Sequence, residues 1–358
     1  MKSTKNIIKG RGTQINVHNR FFELSHEMRD DFLEFCAKEN EEVDNNKTQY
    51  LPVFPKTIVN KVESPDIGLA YSMNMYQGCE HGCVYCYARN SHEYWGFSAG
   101  LDFERRILVK KEAAQLLEAF IKRKTWKAHT IVMSGNTDCY QPAEKKFEIT
   151  RQCLKVFLKY KHPVSIITKN ALIVRDLDIL EALAKDDLIS VNVSITSLSE
   201  TTRQILEPRT ATIKKRIETV RLLSEKGIPV NVMLAPIIPS INSHEILPLA
   251  KAVSEAGALS IAHTIVRLNG AIGALFTDWI HKALPDRAEK VLNQIKNCHG
   301  GTLNDSRYGT RMRGEGQIAK QINDLVHLAR LKYFKGKVMP TLNCDLHEAY
   351  KNGQLKLF

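Results

Sequence analysis

Three cysteines fall within one eight-residue segment, Cys79-Glu80-His81-Gly82-Cys83-Val84-Tyr85-Cys86, with the spacing C-x3-C-x2-C. Three thiolates on a short loop can converge on one compact metal centre. Two chemistries compete for them. A zinc ion would need a fourth ligand, which His81 or His92 could supply. Zinc motifs usually come as two separated ligand pairs, and the sequence has no second cysteine pair. The other reading is a cubane iron–sulfur cluster. Electron-transfer [4Fe–4S] clusters take four cysteines; three leave one iron with an open position, as a reactive metal site requires. The spacing favours the cluster and leaves zinc open. The remaining cysteines, Cys36, Cys139, Cys153, Cys298 and Cys344, are scattered. A secreted disulfide scaffold is short and cysteine-dense, and this 358-residue chain is neither.

The elements that carry this loop are read from apolar periodicity. SMNMYQG (72–78) predicts a short strand that stops at Gly78 and delivers the cysteines. HTIVMSG (129–135), PVSIITK (163–169), ISVNVSIT (189–196), PVNVMLAPII (229–238) and LSIAHTIVRL (259–268) predict five more strands. Helical spacing fills the gaps at 144–160, 176–185, 213–227 and 244–258. Apolar strands alternating with helices imply parallel pairing through right-handed crossovers. Six units are too few for a complete eight-fold barrel, so the expectation is an α/β fold, a partial (β/α)6 barrel. The predicted organisation is an N-terminal extension (1–60), the barrel (61–285), and a basic C-terminal region (286–358) that closes it. Within the acidic stretch 27–47, Phe32, Leu33, Phe35 and Cys36 predict one apolar face of a short helix.

The cysteine loop after the first strand of a partial barrel resembles the radical S-adenosylmethionine (SAM) superfamily. The wider text NMYQGCEHGCVYCYARNSHEYWG, then SGNTDCYQP, ITKN, VSIT, LEPR and DSRYGTRMRGEG, is similar to a bacterial subgroup related to spore photoproduct lyase, as is KGRGTQINVHNRF near the N-terminus. The resemblance covers nearly the whole chain. It implies a [4Fe–4S] cluster on Cys79, Cys83 and Cys86, and SAM bound at the open iron. It further implies reductive cleavage of SAM to methionine and a 5′-deoxyadenosyl radical, driven by an external one-electron reductant of flavodoxin or ferredoxin type.

Ligands of parallel β/α folds sit at the carboxyl ends of strands. That rule selects Asn136, Thr137 and Asp138 after the second strand, where the superfamily receives the SAM amino group. Lys169 ends the next strand and resembles the lysine that pairs with the SAM carboxylate. Ser194 and Thr196 share one face of their strand and suit the ribose and methionine groups. The resemblance places Tyr85 beside adenine, and Tyr87 could relay a hydrogen atom. Arg209 in LEPR could fork onto a carboxylate or phosphate. Cys139, near the barrel mouth, is a candidate hydrogen-donating thiol, though its register departs from that of spore photoproduct lyase.

The hydrophobic fraction of 43% is that of a globular protein, which excludes wholesale disorder. No stretch approaches the length of a membrane span, and MKSTKNIIKGRG lacks the apolar core of a secretory leader, so a cytoplasmic enzyme that uses no membrane is expected. The net charge is +12. Residues 104–127 and 307–337 carry eight bases each and nearly all of that excess. The charge and the kinship with spore photoproduct lyase together suggest a nucleic acid or nucleotide as substrate. Radical chemistry on a small molecule or protein, and a zinc-binding nucleic-acid module without catalysis, are the alternatives.

Overall fold

The computed structural model describes residues 8–21 and 47–353. The helix predicted through Phe32, Leu33, Phe35 and Cys36 lies outside the described residues. The described strands are β1 (Gln49–Pro52), β2 (Val59–Lys61), β3 (Tyr71–Met73), β4 (Tyr76–Gln77), β5 (Arg106–Val109), β6 (Ile131–Met133), β7 (Val164–Thr168), β8 (Ile189–Ser194), β9 (Val230–Ile237) and β10 (Ser260–Ile265). Strands β3, β6, β7, β8, β9 and β10 lie side by side in chain order and pair in parallel throughout. This is the expected partial (β/α)6 barrel. Antiparallel β2 extends the β3 edge, with Val59 opposite Met73.

Strand alternation sorts the side chains. In β8, Ile189, Val191 and Val193 are buried with Leu180, Leu183, Val220 and Leu223 of the covering helices. The opposite face is polar. Asn192 donates to Ser165 Oγ (3.0 Å), Asn231 to Asn192 Oδ1 (2.8 Å) and Ser260 to Asn231 Oδ1 (2.7 Å). A ladder of small polar groups therefore crosses four strands on the inner face. Each member has a partner, so the lumen is polar without stranded buried groups.

Three elements depart from the sequence expectation. The strand predicted over 72–78 divides after Met73. Tyr76 and Gln77 turn away to pair antiparallel with β5, which also pairs in parallel with β1. Strand β5 lies in a stretch that reads as a basic surface, yet Ile107, Leu108 and Val109 are buried. The helix predicted over 144–160 is broken at Glu148 (φ 50°). There the buried Glu144 carboxylate accepts from Tyr76 Oη (2.6 Å) and from the Thr150 amide (3.0 Å), which folds the chain back on itself.

The free edges of the main sheet, β10 and β2, are bridged by residues 305–316. The Ile265 amide donates to Met312 O (3.0 Å). Across the gap Gly309 N–H and Arg311 Nε reach Asp66 (2.8 and 2.5 Å), in the turn between β2 and β3, and Arg311 Nη2 reaches Ser64 Oγ (2.5 Å). At the amino ends of the strands the helix Asp345–Lys351 covers the barrel floor. Lys351 Nζ donates to Trp126 O (2.6 Å), and Glu348 accepts from the Ala128 amide (2.8 Å).

The two basic stretches, 104–127 and 307–337, are in part engaged within the fold. Lys122, Arg123 and Lys124 follow the helix Ala113–Ile121 and precede β6, which places them at the floor, opposite the mouth where such folds do chemistry. Trp126 is 7% exposed with Nε1 on His162 (3.0 Å), so its ring is not available for base stacking. The bases of the bridging segment are also engaged. Arg307 pairs with Asp305 and Glu315, Arg311 with Asp66, and Arg313 reaches His263. No helix among the described residues is long and apolar enough to cross a membrane.

Candidate active site

The cysteine loop leaves β4 at the carboxyl end of the sheet. Its shape is held from beneath by one buried side chain. Arg89 donates from Nε to Cys83 O (3.0 Å) and from Nη1 to Ala99 O and Gly100 O (3.2 and 3.1 Å). Its Nη2 pairs with Glu104 (2.6 Å), and both side chains are wholly buried. Glu104 in turn accepts from the amides of Gly12 and Thr13 (3.0 Å each) and from Thr13 Oγ1 (3.1 Å). The N-terminal Gly-Arg-Gly-Thr text is thus a clamp under the loop. A Cβ on Gly12 would stand 1.6 Å from Gly82 O, and Gly82 itself has φ +68°, so both positions require glycine.

Cys79 and Cys83 are buried, Cys86 is more open, and none is in a disulfide. Burial pushes the Cys79 and Cys83 thiols well up, reinforced by Asp138 for Cys79 and Glu207 for Cys83. Such thiols ionise only when a metal centre supplies compensating positive charge. An all-thiolate set suits a soft iron–sulfur centre. Of the two histidines, His81 is already engaged. His81 has Nδ1 3.4 Å from Asp138 and Nε2 3.1 Å from Asn170. His92 is fully buried between Phe97 and Phe103, with ring centroids 5.2 and 5.6 Å away. No three His, Cys, Asp or Glu side chains among the described residues converge on one ion. Three cysteines without a disulfide on one short loop would hold an iron–sulfur cluster, and the residues present fit one.

Lys169, at the end of β7, faces the same loop. Burial lowers the affinity of its amine for a proton, but the nearby Cys83, Glu207 and Cys86 outweigh that and raise its pKa. Its ammonium has no ion-pair partner among the described residues. Glu207 is committed elsewhere. It accepts from Tyr85 Oη, from Thr196 Oγ1 (2.9 Å) and from Arg216 Nη2 (2.5 Å). Burial alone would raise its carboxyl; Arg216 and then Lys169 reverse that and hold it down to about 2. Arg216 also donates to Ser194 O (3.0 Å). Tyr85 and Thr196 therefore belong to a buried polar brace behind the cysteine loop, beside Ser194, which is 2% exposed.

At the end of β6, Asn74 Oδ1 receives the amides of Asn136 (2.7 Å) and Thr137 (3.2 Å), and Thr137 Oγ1 donates to Tyr76 O (2.7 Å). Asp138 is saturated by Thr168 Oγ1 (2.8 Å), the Lys169 and Tyr140 amides (2.7 and 2.8 Å) and His81. Burial would raise the Asp138 carboxyl, but His81 and these donors lower it. Of this trio only Asn136 keeps its side chain exposed. Arg209 sits on the other side of the loop. Its amide donates to His81 O (3.2 Å), and its guanidinium is 3.9 Å from Glu80.

Cys139 is 1% exposed within the main apolar core, its amide bonded to Ser134 Oγ (2.8 Å), and burial pushes its thiol well up. It packs here as a small apolar residue. Tyr87 behaves oppositely. It is 54% exposed and its hydroxyl bonds to Gly135 O, yet desolvation, then Cys86, raise its phenol above the usual range.

Residues 73–253 match the model of the radical SAM superfamily. The chain belongs to that superfamily. An uncharacterized protein of Mycobacterium tuberculosis (strain ATCC 25618 / H37Rv) is 30% identical over 237 residues, covering 65% of this chain and 70% of its own. An uncharacterized protein of Methanocaldococcus jannaschii is 28% identical over 250 residues, covering 70% and 89%. The fold is similar to that of spore photoproduct lyase complexed with dinucleoside spore photoproduct, with TM-score 0.59, 16% identity and 82% of each chain covered. A lyase variant with bound AdoMet and dinucleoside spore photoproduct gives 0.59 at 14% identity, over 86% of this chain and 92% of that one. Membership in the superfamily implies the cluster and SAM. Sequence reasoning missed Arg89, Glu104, Glu207 and Arg216, which look like surface charges until the fold buries them.

Proposed function

We propose that this radical SAM protein is an enzyme that abstracts hydrogen from a substrate held in the polar barrel lumen, and that the substrate is a nucleic acid or nucleotide. The observation that carries the reading is that three cysteines without a disulfide lie near Lys169 at the end of β7, whose ammonium has no ion pair among the described residues. The chemistry supplied by the bound group is one-electron cleavage of SAM to methionine and a 5′-deoxyadenosyl radical. Cys79, Cys83 and Cys86 would hold the cluster, and Lys169 would pair with the SAM carboxylate by a charge-assisted hydrogen bond. Asn136 is free to receive the amino group. Ser194, Thr196 and Tyr85 would act through the Glu207–Arg216 brace, fixing the loop and the end of β8 around the methionine and adenosine. Arg209 lies outside that pocket and supports the loop through Glu80. Tyr87 would face the substrate. The electron would come from an external flavodoxin- or ferredoxin-type donor.

The substrate class is supported by spore photoproduct lyase, a protein of similar fold, which binds a dinucleoside spore photoproduct. It is tested by isotope transfer. Reduced protein with SAM and deuterated DNA or RNA should put deuterium into 5′-deoxyadenosine. Unlabelled 5′-deoxyadenosine with every nucleic acid tried would reject the substrate class and keep the SAM chemistry.

A further inference from the structure

Arg267 is the residue the reading above leaves without a task. It lies two residues beyond β10, at the carboxyl end of the barrel. Its neighbours Val266 and Leu268 are buried, at 1% and 3% exposure, in the apolar cluster under the helix Ala271–Ala283. Arg267 itself is half-buried. It lies close enough to Arg311, Asp66, Tyr87 and Asp305 to feel their charges, and it is not among the groups around Lys169. The two carboxylates near it are already committed: Asp66 to Arg311 and Gly309, Asp305 to Arg307 and Thr310. Its guanidinium makes no hydrogen bond or ion pair among the described residues. Burial weakens its hold on its proton, and the Arg311 charge adds to that. Asn269 Oδ1 two residues on, Asn304 Oδ1 next to Asp305, and Nδ1 of His299, which feels the Arg267 charge, are buried without partners among the described residues. An open groove of about 720 Å³ is lined by its chain neighbour Leu268 with Thr277, Leu303 and Asn304.

A half-buried guanidinium without a hydrogen-bonded partner keeps its charge, so an incoming anion would stabilise it. From this placement we propose that Arg267 forms a second cationic subsite, near Tyr87 at the carboxyl end of the barrel, that takes an oxyanion group of the substrate, a phosphate or a carboxylate. The fork of donors suits either group bidentately. The inference rests on the proposed function for its meaning, but the subsite stands or falls separately.

The test uses anaerobically reconstituted full-length protein at constant ionic strength. Thermal midpoints are measured with inorganic phosphate, with the dinucleotide d(TpT) and with acetate, because a ligand that binds only the folded state raises the midpoint with its concentration. Phosphate or acetate should raise the wild-type midpoint, and the better of the two names the group. The response to d(TpT) tells whether a phosphodiester is accepted. Affinity should fall at least tenfold in Arg267→Met and less in Arg267→Lys. The triple variant Lys122→Ala/Arg123→Ala/Lys124→Ala, at the barrel floor, should respond like wild type. Equal response in Arg267→Met and wild type would overturn the subsite, as would a response lost in the triple variant or absent from wild type. Formation of 5′-deoxyadenosine by the same wild-type preparation reports separately on the proposed function.

Discussion

Replacing Arg89 by Met should unstaple the cysteine loop. The side chain is wholly buried and makes four contacts: three to the carbonyls of Cys83, Ala99 and Gly100, and one to Glu104 at 2.6 Å. Met conserves the stem and removes the charge. What remains is a buried Glu104 carboxylate that keeps its Gly12 and Thr13 donors but loses its counter-ion. Removing one partner of a buried pair costs about 3–5 kcal/mol, because the other charge is left uncompensated. The three carbonyls lose their donor as well, so the upper part of that range is expected. Glu104→Gln keeps hydrogen-bonding capacity and should cost about 1–3 kcal/mol. In the double variant no lone charge remains, so its loss should be smaller than the sum of the single losses by roughly 1–3 kcal/mol. Urea unfolding of apoprotein reads the stability. Iron retained after anaerobic reconstitution reads the loop, and it should fall in Arg89→Met even where the protein is folded. If Arg89→Met loses under about 1 kcal/mol and keeps its iron, the clamp has no role in holding the loop.

Lys169→Met should weaken SAM binding by about 1.5–3 kcal/mol, roughly 10- to 150-fold, with iron content unchanged; equal affinity in equilibrium dialysis would remove Lys169 from the carboxylate site. Arg311→Met should release the segment 305–316 from Asp66 and Ser64, and limited proteolysis should then cut there first; an unchanged cleavage pattern would show that the bridge does not depend on this pair. The Gly309 amide, then Arg311, depress the Asp66 carboxyl below its ordinary 3.8. Its contribution is therefore complete above that value and is lost as pH falls through the folded-state pKa. His162, buried against Trp126 and His347, is held down to about 3 from 6.5. As pH falls the unfolded chain takes up this proton first. Stability is full above 6.5 and should decline by about 1.4 kcal/mol per pH unit below it from this residue alone. His162→Phe should flatten the slope, and an unchanged slope would assign the acid lability elsewhere.

The barrel was legible because its strands are apolar runs bounded by turn residues, and PVSIITK, ISVNVSIT and PVNVMLAPII appear as β7, β8 and β9 within a residue or two. The cysteine loop was legible because ligand spacing is local. What escaped was set by distant contacts. Strand β5 is four residues long inside a basic stretch, and only pairing with β1 and β4 makes it a strand. Arg89, Glu104, Glu207 and Arg216 look like solvated charges until they pair in the interior. Charge counting sees bases and not their partners: Arg307 pairs locally with Asp305 and Glu315, while Arg311 and Arg313 meet Asp66 and His263 from elsewhere in the chain. Arg267 could have been found, since it ends the apolar run LSIAHTIV where ligands of parallel folds bind.

The central claim is that Cys79, Cys83 and Cys86 hold a cluster that cleaves SAM. Protein reconstituted with iron and sulfide without oxygen should be brown, carry about four irons per chain and form 5′-deoxyadenosine from SAM once reduced. Cys79→Ala, Cys83→Ala and Cys86→Ala should each lose the iron and the product, while His81→Ala keeps the iron. A colourless protein that retains one zinc per chain and forms no 5′-deoxyadenosine would contradict the account.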